Sequence, residues 1–405
     1  MVGAGPAGLM AAIQAAQTGT PTAVLEANPI AGKKLLLTGG GRCNLTHQGC
    51  PDEILQALGP RGRFLAHCIH RFPPACVIQM FEGLGLPVWV TPDGSAFPGG
   101  TARATAVRDV LLGEARRLGV QVLYGRAVDR VLQDPAGGFL LRTSGQTVRT
   151  RRLVLATGGL SYPHTGSTGQ GLRMAQALGH TLVRPRPALV PLVTAETWPP
   201  RLAGLSIGPV RVRAKCAARR VSETGDLVFT QDGIGGPAVL NLSRHLTDSL
   251  SDEQDSVEIS IDLLPDVPED AVERQILQWA QTHPKKTVTG QVAAWVPRRL
   301  AEVLAHLAGC PADLRVSHLG RDHRRGLVQA IKALGLHIVA TRPMAEATIT
   351  RGGVATDQID PKTMQSRLCA GLFFAGEMID VDGPCGGYNL QICWSTGALA
   401  GAAAR

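Results

Sequence analysis

Apolar residues recur at Leu9, Ala12, Ile13 and Ala16, one face of a helix, directly after the glycine-rich "GAGPAGL". The segment "TAVLEANP" then reads as a short strand ending at Glu26, while "GKKLLLTGGGRCNLTH" has neither a helical nor a strand period. Between Pro51 and Ala96 helical periods mix with turns such as "FPP" and "PDG", and the pattern predicts a helix over 102–118. The segments "VQVLYGRAVDRVLQ", "GFLLRTS" and "QTVRTRRLVLATGG" alternate and are broken by "DPAGG" and "SG". They predict a small antiparallel meander that returns to a buried strand, "LVLATGG".

The character changes at the proline-rich "RPRPALVPLV". Short strands come first ("SIGPVRVRAKC", "GDLVFTQDGIGG", "VEISIDLLP"), then helical periods over roughly 269–283, 287–308 and 324–334. Dinucleotide-fold character resumes with "RLCAGLFFAGE" and a final helix. The expected organisation is an α/β nucleotide-binding domain over 1–186 and 343–405, interrupted by an inserted substrate or lid domain over 187–342.

At 405 residues there is room for both. A hydrophobic content of 44% with 18% charged residues is ordinary for a globular chain, and no apolar run approaches the ~20 residues that cross a membrane. The cofactor fold begins at the first residues, so no signal peptide is visible and the expected location is cytoplasmic. Nine scattered cysteines without a C-x-x-C pair argue against a zinc site and a disulfide framework. The net charge of +9 arises from dispersed arginines with small clusters at "AARR" and "GRDHRRG", read as solvated surface. With aromatics at 4%, nucleic acid is not the expected partner; a small-molecule substrate is.

The opening glycines Gly3, Gly5 and Gly8 fit G-x-G-x-x-G, and Pro6 and Ala7 complete the turn. One glycine permits the turn, one admits a pyrophosphate to the backbone, and one lets helix pack on strand. Glu26, with Ala27 beside it, lies 18 positions after Gly8, where a carboxylate accepts ribose hydroxyls and repels a 2′-phosphate. That suits FAD or NAD better than NADP. Only Met1 and Val2 precede the turn, so the first strand reads as cut short and the natural start is expected upstream. In "TGGGRCN", Gly41, Arg42, Cys43 and Asn44 are candidates to wrap a pyrophosphate and ring edge, with Lys34 adding charge. Thr157 and Gly158 close the returning strand, and the backbone of Val128 is a candidate adenine contact.

A second signature stands near the other end, "GLFFAGEMIDVDGPCGGYNLQICWSTGALAG". An apolar strand runs into Gly376-Glu377, and a helix follows from about Gly387, carrying Asn389 and Leu390. A carboxylate there can accept a ribityl hydroxyl, and a helix N-terminus suits a flavin edge that becomes anionic on reduction. NAD has no use for this element, so the two signatures together select non-covalent FAD. No second G-x-G-x-x-G appears, so any NAD(P)H would visit the flavin transiently.

These segments, with "LATGGLSYPHTGSTGQGLRMAQALGH", "DLVFTQDGIGGPAVLNLS" and "ATITRGGV", resemble the YhiN/BaiN-like family of bacterial NAD(P)/FAD-dependent oxidoreductases, the aminoacetone-oxidase-like flavoproteins. The resemblance implies a glutathione-reductase-like, Rossmann-type FAD domain with an inserted β-barrel plus helical domain. It departs at Gln231, where the family suggests histidine, and at Gly235, where it suggests serine. Candidates for the flavin face are Cys43, Tyr162, His164, Cys385 and Tyr388, none identifiable as a catalytic base from sequence. The expected activity is hydride transfer through flavin N5 to or from a small organic substrate. The alternatives are an amine or amino-ketone oxidase using oxygen, a flavin-dependent RNA-modifying enzyme, and a flavin-binding protein without turnover.

Overall fold

The computed structural model describes residues 1–216, 219–251 and 256–405. Two units emerge, one made of Met1–Arg186 with Ala347–Arg405 and the other of Pro187–Glu346. Ala217 and Ala218 of the "AARR" cluster lie outside the described residues.

The first unit is built on a parallel sheet centred on Val2, which bridges Leu25 on one side and Leu155 on the other. The Val2 N–H donates to the Val154 carbonyl at 2.9 Å and the Gly3 N–H to the Leu25 carbonyl at 2.8 Å. Outward from this rung, Ala23–Leu25 pairs with Gln121–Leu123, and Leu153–Leu155 pairs with Leu372–Phe374, all parallel. Val24, Val154 and Phe373 are sealed, as expected of strands covered on both faces. This is the Rossmann-type arrangement the pattern predicts, and it joins strands from both ends of the chain. One assignment is corrected. Gln121–Leu123 belongs to the parallel sheet, and the meander is Val128–Gln133, Phe139–Thr143 and Gln146–Thr150. The break falls at Gly125, whose left-handed φ of 63° turns the chain out of the first run.

Helix Pro6–Gln17 lies against the last helix, Tyr388–Ala403. A Cβ on Gly397 would sit 2.5 Å from the Ala7 carbonyl oxygen, and one on Gly401 would overlap the Ala11 carbonyl. Small residues four apart on both helices therefore let the backbones touch. Trp394 anchors the same helix, fully buried edge-on to Phe81 at 5.5 Å.

The second unit holds a closed barrel in the order Leu192–Thr194, Gly233–Gly235, Arg219–Phe229, Ser206–Cys216, Val257–Asp262, Leu334–Thr341. Its interior follows the period of two, with Val210, Val212, Leu227, Phe229, Ile259, Ile261, Leu336 and Ile338 all buried. The helical period expected over 287–308 resolves into two helices, Val288–Val292 and Arg298–Leu307. The cause is Pro297, which has no N–H to continue the first helix and whose carbonyl starts the second, accepting from Leu300 at 2.9 Å.

Candidate functional site

The three opening glycines divide the labour their spacing predicts. Gly3 takes φ +98°, and a Cβ there would lie 2.6 Å from the Ala156 carbonyl oxygen. A Cβ on Gly8 would overlap the Gly3 carbonyl, so helix and strand touch at that point. Gly5 differs: its φ of −79° and ψ of −177° suit any residue, and a Cβ there would meet no atom within 4 Å. Its neighbourhood is open space facing the start of helix Pro6–Gln17, where the first-turn amides have no intrahelical acceptor.

Glu26 closes one flank. One of its oxygens accepts the Ala4 N–H at 2.7 Å, and the other accepts the Asn28 amide N–H and side-chain N–H, each at 2.8 Å. A carboxylate has about four acceptor positions, so one remains for a hydroxyl. Ala27 beside it is exposed.

The triple-glycine loop is backbone in left-handed conformation: Gly39, Gly40, Gly41 and Cys43 have φ of 56°, 63°, 84° and 65°. Around Gly40 a Cβ would find no atom within 4 Å. Asn44 then points its side-chain oxygen into a sealed position where no hydrogen-bond donor reaches it. That oxygen lies 2.7 Å from where a Cβ on Gly387 would be, directly before the last helix. The loop is laced to this helix further on, Trp394 Nε1 donating to the Leu45 carbonyl at 2.8 Å and Thr46 Oγ1 to Gln391 Oε1 at 2.5 Å. The two signatures, more than 300 residues apart in sequence, thus meet at Asn44 and Gly387.

Several candidates take up different work. The Cys43 side chain is fully buried with Leu35, Leu45 and Trp394, and burial pushes its thiol up to about 12, which removes it as a face-on redox group. The Arg42 guanidinium lies 4.9 Å over the Phe97 ring, and Phe97 pairs across strands with the exposed Trp89. Glu377 accepts from the Thr350 N–H at 2.7 Å, Ser161 Oγ at 2.8 Å and Lys34 Nζ at 2.7 Å. It therefore ties the opening loop to the closing turn, with one acceptor position to spare. Asn389 spends its side chain on the preceding turn, accepting from Gly383 N–H at 2.9 Å and donating to the Gly383 carbonyl at 2.8 Å. Only its backbone, with that of Leu390, faces the helix N-terminus. The Val128 carbonyl already accepts Gln170 Nε2 at 2.7 Å.

Tyr162 and His164 are rings 5.7 Å apart on a turn held from the Glu26 side. Asn28 Nδ2 donates to the Thr165 carbonyl at 3.1 Å, and Lys33 Nζ to the His164 carbonyl at 2.9 Å. The backbone of this turn is thus tied to Lys33 and to Asn28, which also bonds Glu26. Thr157 and Gly158 sit between the two ends: Thr157 Oγ1 donates to Met378 Sδ at 3.3 Å, and a Cβ on Gly158 would come within 3.9 Å of Glu377 Oε2.

Tyr388 has a partner that the sequence reading did not single out. The His47 ring stacks on it with centroids 4.7 Å apart and planes 18° from parallel, and His47 Nδ1 contacts the Gly386 carbonyl at 3.1 Å. Burial, then the charge of Glu53, raises the Tyr388 pKa, so its phenol keeps its proton. His47 follows "TGGGRCN" by three residues, and only the fold brings it to Tyr388. Cys385 is half-buried in the same turn. Cys393 lies one turn into the last helix, its thiol pushed up to about 12 by burial and then by Glu377.

Comparison with known proteins agrees with this construction. The HI0933-like protein Rossmann domain model matches residues 1–403. A 3-dehydro-bile acid delta(4,6)-reductase of Clostridium scindens is 33% identical over 411 residues, covering 100% of this chain and 98% of its own. A ribosomal RNA dihydrouridine synthase of Haemophilus influenzae is 31% identical, covering 98% and 95%. Among solved structures, a 3-ketosteroid delta1-dehydrogenase of Sterolibacterium denitrificans shares the fold with a TM-score of 0.54 at 14% identity, covering 99% and 97%. The chain belongs to the HI0933-like family of Rossmann-domain proteins.

Proposed function

We propose that this protein is an FAD-dependent reductase that adds a hydride and a proton across a C=C bond conjugated to a carbonyl. The observation that carries the reading is the pair of open backbone positions at Gly5, before helix Pro6–Gln17, and at Gly40 in the left-handed loop, where a Cβ would meet no atom within 4 Å. Open space beside helix amides that lack an intrahelical acceptor suits an anionic ligand such as a diphosphate.

The residues fit a flavin dinucleotide. The open face of Gly5 and the amides of Ala7 and Gly8 would hold the diphosphate, and the spare acceptor of Glu26 a ribose hydroxyl. Gly40, Gly41 and the amides of Tyr388, Asn389 and Leu390 would hold the ring system. FAD held there would supply the hydride, with NADH or NADPH proposed as the source of the two electrons in a cytoplasmic setting. Lys34 neutralises Glu377 next to this space, and the left-handed glycines keep side chains out of it. Tyr388, which keeps its phenol proton and stacks on His47, is our candidate to hold a proton at its Oη for the carbon next to the carbonyl.

The chemistry named for the relatives supports the reading at the level of the bond. A double bond conjugated to a ring ketone and the C5=C6 bond of uracil, conjugated to a carbonyl, undergo the same net addition: hydride to the far carbon, proton to the near one. The test is anaerobic. The yellow protein is mixed with NADPH or NADH, then with cyclohex-2-enone, and the visible flavin band is followed. Bleaching by a nicotinamide followed by recovery on adding the enone is expected; a band that neither nucleotide bleaches contradicts the proposal.

A further inference from the structure

In the first unit the short strand Thr46–His47 and the hairpin of Val88–Val90 and Ser95–Pro98 form a three-stranded sheet. The register sets Trp89 opposite Phe97 and His47 opposite Ser95, so alternation turns these four residues to one face. The other face belongs to the core: Thr46 and Ala96 are sealed, and Val88 packs against the cluster that holds Val77 and Phe81. The first face is left open at Trp89, which is 56% exposed and alone among the five tryptophans in being exposed.

A cation stands over this face. The Arg42 guanidinium lies 4.9 Å from the centre of the Phe97 ring, and its Nε donates to the Gly39 carbonyl at 3.4 Å. Among the described residues no carboxylate pairs with it, and the three strands contain no acidic residue. Asp93, in the hairpin turn, accepts from Ser95 Oγ at 3.0 Å, and Gly94 beside it abuts His47, so this carboxylate belongs to the His47 end. Phe97 and Trp89 lie two residues further from that turn. The face also borders the candidate cofactor segments twice. A Cβ on Gly39 would fall 3.4 Å from the Phe97 ring, and His47 stacks on Tyr388.

We propose that this face docks the nicotinamide dinucleotide that reduces the flavin, with its adenine on Trp89 and its diphosphate on Arg42. An indole accepts any base because every base has a π-face, and a guanidinium fork matches phosphate oxygens. No second G-x-G-x-x-G turn offers this nucleotide a Rossmann site of its own. A small uncharged enone has no use for the unpaired guanidinium. A stable protein partner needs roughly 800 Å² a side, more than an indole, a phenyl ring and a guanidinium supply. The identity of the ligand rests on the reductase reading, which calls for a two-electron donor; the aromatic face and its cation stand apart from it.

The experiment titrates the FAD-loaded full chain with ADP-ribose and with 2′-phospho-ADP-ribose, which lack the nicotinamide and pass no hydride, and reads binding by calorimetry. For the tighter of the two, W89A should bind about ten- to a hundredfold more weakly and W89F within about threefold of wild type, as stacking on an aromatic side chain requires. R42Q should bind more weakly and lose much of the salt dependence. Flavin content and melting temperature of W89A should match wild type. In stopped flow, the nicotinamide concentration for half-maximal bleaching should rise in W89A by the same factor. Reoxidation of its light-reduced flavin by cyclohex-2-enone should keep the wild-type rate. Equal affinity in wild type and W89A overturns the inference, as does wild type that binds neither compound. So does a W89A chain slowed only in the enone step, which would make the face a substrate platform. A wild type bleached by a nicotinamide with W89A its equal sinks this inference alone. One that binds ADP-ribose through Trp89 and Arg42 yet is bleached by neither nicotinamide sinks only the reductase reading.

Discussion

Gly8 and Lys34 show how single residues divide between shape and charge. A methyl group on Gly8 has nowhere to go except into the Gly3 carbonyl. The G8A chain should lose about 1–3 kcal/mol of stability, read as a lowered urea midpoint with the slope unchanged. Lys34 bonds both Ser161 Oγ and Glu377. Its replacement in K34M leaves a partly buried carboxylate with one charged donor fewer and should cost about 1.5–3 kcal/mol in the same measurement. A K34M chain as stable as wild type would show that the pair is solvent-screened. At this scale the sequence was most readable where a residue type has one physical use. Gly3, Gly5 and Gly8 follow their spacing, and Glu26 sits at its strand end. The Asn389 side chain bonds its own turn and that of Cys43 packs in the core, which composition alone does not tell. His47 left no signal beyond lying near a glycine-rich loop.

Between elements, the decisive contact is the opening helix against the last one. The G397V substitution would drive a branched side chain into the Ala7 carbonyl and Met10, costing about 1–3 kcal/mol and loosening both cofactor signatures together. A second device joins helix Gln170–Ala177 to the segment before strand Leu372–Phe374. Buried His180 contacts the Ala175 carbonyl through Nδ1 at 3.1 Å and Ser366 Oγ through Nε2 at 2.8 Å. Burial lowers its pKa, so it is neutral when folded, and unfolding is favoured by protonation. Its contribution is intact above the unfolded pKa of about 6.5 and is lost as pH falls towards the lower folded value. Melting temperature should therefore drop from pH 7 to 5, and H180Q, less stable at pH 7, should drop less over that window. An equal drop in both chains would remove His180 from the account. Element types were legible from periodicity, including the helix that resolves as Ala104–Arg117. The errors fell at punctuation: Pro297 splits one helical period, and Gly125 separates a sheet strand from the meander.

For the molecule as a whole, the expected organisation rested on two signatures that make sense only together, with the intervening segment carrying none of the candidate cofactor-binding residues. What the linear pattern could not supply was the depth of the join: Asn44 meeting Gly387, Trp394 reaching Leu45, and Lys34 reaching Glu377, all contacts between distant stretches. The face shared by His47, Phe97 and Trp89 became visible only once the register was known. Gly5 offers the most direct test of the central claim, because its backbone accepts any residue and a Cβ there would meet no protein atom within 4 Å. The measurement is FAD affinity of refolded apoprotein, followed by quenching of flavin fluorescence, in wild type and G5V. The account predicts tight one-to-one binding by wild type. It predicts an unchanged melting temperature for G5V apoprotein with affinity at least about a hundredfold weaker, some 2.7 kcal/mol. Equal affinity in the two chains would contradict the claim that the opening loop grips the dinucleotide.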